Sequence, residues 1–196
     1  MPTDTLPSST GGTNFADLAA QVASLQEQLD EIKSSSLPED KLSMVVFSGD
    51  LDKVLAAFVI ATGAAAMFEE VVMFFTFWAT PALRDPKKNK GGKDFMSRMF
   101  GWMLPKGAGK LKLSQMHMGG MGTSMMKGLM RKKNILSLEQ LIETAANSGV
   151  RIYVCQMSMD LMGLSLDELI DYPDLKAAGV AKFLAEAGAS KSTLFI

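Results

Sequence analysis

Apolar positions recur along the chain with two different periods, and the change of period divides it. From Phe15 to Ile32 the residues Phe15, Leu18, Ala19, Val22, Leu25, Leu29 and Ile32 fall three and four apart, the spacing of one stripe on an α-helix. Asn14 is placed to cap it, and so narrow a stripe suits packing against a neighbour or a second copy of itself. Ser34 to Pro38 ends this helix. Leu42 to Phe47 is instead an unbroken apolar run stopped by Ser48-Gly49-Asp50, a strand followed by a turn. A helix over Leu51 to Met67, nearly all Ala, Val, Ile and Phe, comes next, then a second strand over Val71 to Phe77, closed by Thr80-Pro81. A strand with no polar alternation is covered on both faces, so this unit predicts a parallel sheet between helices.

The rhythm breaks from Arg84 and resumes at Ser137. The intervening segment holds Gly91-Gly92 and Gly119-Gly120 and nine Met between Met96 and Met130, with helix predicted at Phe95 to Met103 and Thr123 to Lys132. Ser137 followed by Gln140 reads as a capping box that opens a helix running to Asn147-Ser148-Gly149. Val150 to Cys155 is the next strand. Short helical turns at Met157 to Met162 and Ser165 to Asp171, a helix from Lys176 to Ala187 and a strand from Thr193 to Ile196 complete the pattern. The expected fold is α/β, a three-layer sandwich with a four- or five-stranded mostly parallel sheet, plus an N-terminal amphipathic helix. Residues 1–13, rich in Pro, Ser, Thr and Gly, are expected to form a disordered leader, 14–40 the amphipathic helix and linker, and 41–196 the α/β domain with a Met-rich basic insertion at 84–133.

Composition narrows the function. A chain of 196 residues with 47% hydrophobic and 21% charged residues is ordinary globular usage and excludes a collagenous or wholly disordered protein. The net charge of −1 conceals an asymmetry: Arg84 to Lys133 contains 13 Lys and Arg against 2 Asp, and the remainder 7 against 19 acids. Such a block can hold phosphate, nucleic acid, an acidic protein or anionic lipid, or pair with acidic surface of its own oligomer. No apolar secretory segment precedes Lys33, which makes the cytoplasm the expected compartment. Val54 to Trp78 is split by Glu69 and Glu70 into apolar runs of fifteen and eight, short of the ~18 residues of a membrane span.

Cys155 is the only cysteine, so neither a disulfide framework nor a Cys-based zinc site can form within the chain. It stands at the carboxyl end of a predicted central strand, where open α/β sheets place their ligands, and at the start of a helical turn whose N–H groups would stabilise a thiolate. The alternative is a buried small hydrophobe, as free cysteines commonly are. Ser48, Gly49, Gln156 and Met157 are the other crevice candidates, together with His117, Gly119 and Gly120 from the Met-rich loop. Thioether and thiolate side chains there would suit Cu(I), but Met fills irregular apolar gaps equally well, and no metal site is assigned. Gly107-Ala108-Gly109-Lys110 is not a P-loop, because Leu104 stands where the first Gly belongs and Leu111 where the hydroxyl belongs. No dinucleotide fingerprint, hydrolase triad, cofactor motif or nucleic-acid motif is present.

Three stretches, KLSMVVFSGDLDKVLAAFVIATGAAAMFEEVVMFFTFW, LPKGAGKLKLSQMHMGGMG and VRIYVCQMSMDLMG, together resemble the DsrE/DsrF-like family of sulfur-relay proteins, in the subgroup often labelled peroxiredoxin-like or DsrE-like. The resemblance spans about residues 41 to 196. It implies a small three-layer α/β fold, homo-oligomerisation, and sulfane sulfur accepted as a persulfide on Cys155 and passed to or from a small sulfur-carrier protein. With no second cysteine to resolve an oxidised thiol, one subunit alone cannot run a peroxidase cycle, whereas a carrier needs only one thiol. The insertion at 84–133 is then expected over the Cys155 crevice, as a lid and docking surface. The rival readings are a ligand-binding or scaffold module whose cysteine is structural, and a protein that associates with a membrane surface through its basic, Met-rich segment.

Overall fold

The structure, a computed structural model, describes residues 15–36, 38–88 and 95–196, and its contacts divide the chain into Met1–Leu37 and Pro38–Ile196. In the first unit one helix, α1 (Phe15–Ser36), presents Phe15, Leu18, Val22, Leu25 and Leu29 as exposed side chains. The leader 1–13 and Asn14 lie outside the described residues.

The second unit is built on five strands, β1 (Glu39–Val46), β2 (Glu70–Phe75), β3 (Arg151–Cys155), β4 (Leu175–Ala178) and β5 (Ser190–Phe195). They lie in the order β4-β3-β2-β1-β5, and every neighbouring pair is parallel. Right-handed crossovers then decide where the helices go. The chain steps from β1 to β2, β3 and β4 in one direction, so α2 (Leu51–Ala64), α5 (Leu138–Asn147) and α6 (Gln156–Met162) fall on one face. The return from β4 to β5 crosses the whole sheet, which puts α7 (Val180–Ala189) on the other face.

Side chains sort accordingly. Met44, Val46, Met73, Phe75, Ile152 and Val154 point into the larger core with Val54, Phe58, Leu138 and Leu141. Val45, Val72, Phe74, Tyr153 and Cys155 point the other way, under Phe183 of α7. One aromatic pair ties each layer to β2: Phe58 to Phe75 at 5.8 Å on the first face, Phe74 to Phe183 at 5.2 Å on the second. Among the described residues no helix is long and apolar enough to cross a membrane.

Several expected elements shift. The predicted helix over Lys176 to Ala187 is divided: Leu175–Ala178 pairs with β3 as strand β4, and helix starts only at Val180, after Gly179. Strand β2 ends at Phe75, and Phe77–Leu83 winds as a 3-10 helix that contains Thr80 and Pro81. Helix α2 ends at Ala64, not Met67. The capping box forms as expected, with Gln140 N–H donating to Ser137 Oγ (3.3 Å) and Ser137 N–H to Gln140 Oε1 (2.9 Å). Within the insertion, helices α3 (Phe95–Met103) and α4 (Met121–Lys132) are present. Its start is anchored by buried Arg84, whose guanidinium donates to the carbonyls of Gly101 and Pro105.

Charge is buried at the amino end of the sheet. Lys41 of β1 and Glu186 of α7 are both buried and meet at 2.7 Å, with Lys182 on the second Glu186 oxygen at 2.6 Å and Glu39 and Glu70 also beside Lys41. Arg151 of β3 pairs with Glu70. Burial raises the Glu186 carboxyl, but hydrogen bonds from Lys182 and Lys41 outweigh it and hold the group at about 2, below the ordinary 4.5. A carboxylate whose folded value is depressed stabilises above its unfolded value and loses that contribution as pH falls through the folded one. Unfolding by urea as a function of pH should therefore show stability falling between pH 4.5 and about 2. In Glu186→Gln that segment of the pH dependence should disappear. At pH 7 this variant should cost about 2 kcal/mol, less than the ~3–5 kcal/mol of a fully orphaned buried ion, because Glu39 and Glu70 remain beside Lys41.

Candidate functional site

Cys155 closes β3 and opens α6, with backbone angles of −61° and 115° that turn the chain from strand to helix. Its backbone is fixed on both sides, since Val154 is in register with Phe75 of β2 and Cys155 with Ala178 of β4. The alternation of β3 aims the sulfur at the α7 face, and the residue is only 5% exposed. Cys155 occupies the N-cap position of α6, where Ser or Asp would offer an oxygen to the first-turn N–H groups.

A group of donors surrounds that sulfur. Ser158, fully buried one turn along α6, has its hydroxyl 3.0 Å from Thr76 Oγ1 and accepts a hydrogen bond from Phe77 N–H at 3.0 Å. Thr76 follows the last residue of β2, so three pieces of backbone, the ends of the neighbouring strands β2 and β3 and the first turn of α6, carry the site. Burial pushes the Cys155 thiol up, but the Ser158 hydroxyl and N–H, the Thr76 hydroxyl and the Met157 N–H together outweigh it and hold the thiol below its ordinary value. No single side-chain hydrogen bond closes the cap, so these dipoles act on the sulfur jointly. Phe77, the first residue of the 3-10 helix after Thr76, has a φ of 44°, in the left-handed region that costs a bulky L-residue ~1–2 kcal/mol.

The residues singled out by the sequence separate into two groups. Gln156 and Met157 adjoin the sulfur: Met157 is 60% exposed, and Gln156 donates to Asp160 Oδ1 at 2.8 Å on the outer side of α6. Gly49 acts one step away, because a Cβ there would lie 2.2 Å from the carbonyl oxygen of Trp78. Its lack of a side chain lets the β1–α2 turn close against the segment that follows Thr76. Ser48 is used locally, its hydroxyl donating to Asp50 Oδ2 at 2.9 Å. His117, Gly119 and Gly120 instead line a cavity of about 590 Å³ with Leu51 and Leu138 on the α2–α5 face, and Cys155 is not part of its lining. The insertion divides in the same way, since α3 contacts α6 while residues 108–131 wall the cavity. Thr76 and Ser158 are the site residues that sequence reasoning missed. Their signals were faint: the first polar residue after an apolar strand, and a hydroxyl three residues beyond a strand-end cysteine. Among the described residues no group of three His, Cys, Asp or Glu side chains gathers to hold a metal.

The site is a single buried cysteine, its thiol held below its ordinary pKa by hydroxyl and amide donors, at the carboxyl end of an all-parallel five-stranded sheet in an α/β fold. The chain belongs to the DsrE/DsrF/DrsH-like family, which it matches over residues 38–195. It is 48% identical over 156 residues to the protein YrkE of Bacillus subtilis, covering 80% of this chain and 96% of that one. It is 34% identical over 164 residues to the sulfur carrier protein DsrE2 of Allochromatium vinosum, covering 82% and 100%. The crystal structure of the ychN protein from E. coli aligns over 80% of this chain and 98% of its own, with 13% identity and a TM-score of 0.45.

Removing a donor should show in the reactivity of the thiol. Ser158→Ala is expected to raise the thiol pKa and slow alkylation by iodoacetamide at pH 7 about three- to ten-fold, while Thr144→Ala, an exposed helical hydroxyl, leaves it unchanged. An unchanged alkylation pH profile in Ser158→Ala would remove the hydroxyl from this role.

Proposed function

We propose that this protein is a sulfur carrier that holds sulfane sulfur as a persulfide on Cys155 and hands it to a partner thiol. The observation that carries this reading is the donor group around the sulfur, Ser158, Thr76 and the Met157 N–H, which favours the thiolate despite burial. In loading, the thiolate attacks the outer sulfur of a persulfide or polysulfide donor, the new Sγ–S bond forms as the donor S–S bond breaks, and the donor leaves as a thiolate. In transfer, a partner thiolate attacks the terminal sulfur, and Cys155 leaves as a thiolate. The same donors assist both steps, because each requires negative charge on Sγ. Family membership supports a place in sulfur relay, and the relative named a sulfur carrier protein is matched over its entire length.

The surroundings suit a macromolecular partner. Met157 and Leu161 of α6 and Trp78 beyond Thr76 are exposed around a recessed sulfur, which leaves adaptable apolar surface for a small carrier protein to cover during exchange. No cofactor enters these steps.

Incubation with polysulfide, followed by intact-mass spectrometry, tests the reading. The full chain should gain the mass of one sulfur atom, reversed by dithiothreitol, and Cys155→Ser should gain none. If the native protein stays unmodified while the urea-unfolded chain reacts, the thiol is a packing residue and the carrier role fails.

A further inference from the structure

We propose that the cavity on the α2–α5 face is a second site, which binds an organic anion of nucleotide size carrying an apolar ring or chain and a phosphate group. Its volume of about 590 Å³ falls in the range of small-molecule sites. The floor is apolar, formed by buried Leu51, Leu111, Met130 and Leu138. Lys110, Lys112, Lys127 and Arg131 also line it, against Glu139 as the one carboxylate among the described lining residues. None of the four cations takes part in an ion pair within the described structure. Like charges gathered at one cavity repel, and an anion among them relieves that cost.

The walls are held in place. Lys127 Nζ donates to the carbonyl of Gly109 at 2.9 Å, and a Cβ on Gly109 would lie 3.1 Å from Glu139 Oε1, so the turn that carries Lys110 is gripped from two sides. The loop that supplies His117, Gly119 and Gly120 to the lining is wound through Met116, Met118, Gly119 and Gly120 at φ values of 54°, 44°, 67° and 103°. A Cβ on Gly122 would meet the Met116 carbonyl oxygen at 1.8 Å. A loop wound this tightly cannot fold into the space it borders, and left-handed non-glycine residues concentrate at ligand sites. The apolar floor disfavours bare phosphate as the whole ligand, and the cations disfavour a neutral one. The site lies on the face of the sheet opposite the sulfur and does not depend on the sulfur-carrier reading.

Titration of the full chain with trinitrophenyl-ATP, followed by its fluorescence, tests the site. Saturable binding is expected, equal in Cys155→Ser. Lys127→Glu with Arg131→Glu should weaken it about ten-fold or more, while Lys132→Glu with Lys133→Glu, the same charge change outside the lining, should leave it within about two-fold. Leu55→Trp, which fills the cavity without altering charge, should also abolish it. No saturable binding, equal loss in the two charge-reversed pairs, or full affinity in Leu55→Trp would each overturn the proposal.

Helix α1 carries a second, independent inference: we infer that it pairs with α1 of another copy as a coiled coil. Phe15, Leu18, Val22, Leu25, Leu29 and Ile32 alternate steps of three and four without a break, an average of 3.5 residues that keeps one seam facing a partner helix. Of the positions flanking the seam, Ala19, Gln21, Gln26 and Gln28 are uncharged and Lys33 beside Ile32 is charged, while Asp17, Glu27, Asp30 and Glu31 fall outside them, so like charges do not line the seam between two identical helices. Single cysteines in the Cys155→Ser background report the contact. Val22→Cys and Leu25→Cys should form interchain disulfides under mild oxidation, each alone if the helices are parallel and only when mixed if they are antiparallel, and Ser24→Cys should not. Failure of all combinations to exceed Ser24→Cys would overturn the inference.

Discussion

The handedness of the crossover connections governs this molecule. Because β1 to β4 are laid down in one direction, every helix between them is forced to one face, and the return to β5 leaves the other face to α7. The two faces are therefore covered unequally. The thicker side accumulates the large core around Phe58, Phe75 and Leu141. The thinner side buries a small cluster around Phe74 and Phe183, and it is there that the alternation of β3 delivers Cys155.

At the sulfur the governing contest is desolvation against local dipoles. A buried thiol in apolar company stays protonated and inert, and the apolar surroundings of Cys155 pull in that direction. Backbone geometry reverses it: the strand must turn into α6 at Cys155, and that turn brings first-turn N–H groups and the Ser158 hydroxyl to the sulfur with no separate base. His117, the only histidine, is bound to Thr123 through Nδ1 at 2.9 Å and lines the cavity on the other face.

Much of this was readable from sequence because burial on both faces leaves an unmistakable signature. β1, β2 and β3 appear as apolar runs, the capping box at Ser137 marks α5, and a cysteine at a strand end stands out. β4 escaped because Leu-Lys-Ala-Ala are good helix formers; only register with β3 makes them extended, a tertiary demand that overrides propensity at a four-residue edge strand. The placement of His117, Gly119 and Gly120 was illegible for a different reason. Proximity along the chain to Met-rich sequence says nothing about which face of a sheet a long connection will cover, and Leu104, Ala108 and Leu111 of this insertion pack into the core on the face away from the sulfur. Thr76 and Ser158 lie 82 residues apart, so their meeting belongs to the topology alone.

Phe77 has a consequence of its own. A phenylalanine held at a φ of 44° behaves as a sprung latch: the ring is retained by Phe47 at 5.5 Å, which stacks in turn on Phe195 at 6.0 Å, and the amide is retained by Ser158 Oγ. The hydroxyl pair beside Cys155 is thereby joined, through Phe77 and Phe47, to an aromatic chain that reaches the last strand, so the edge of the sheet and the site at its centre share one line of contacts.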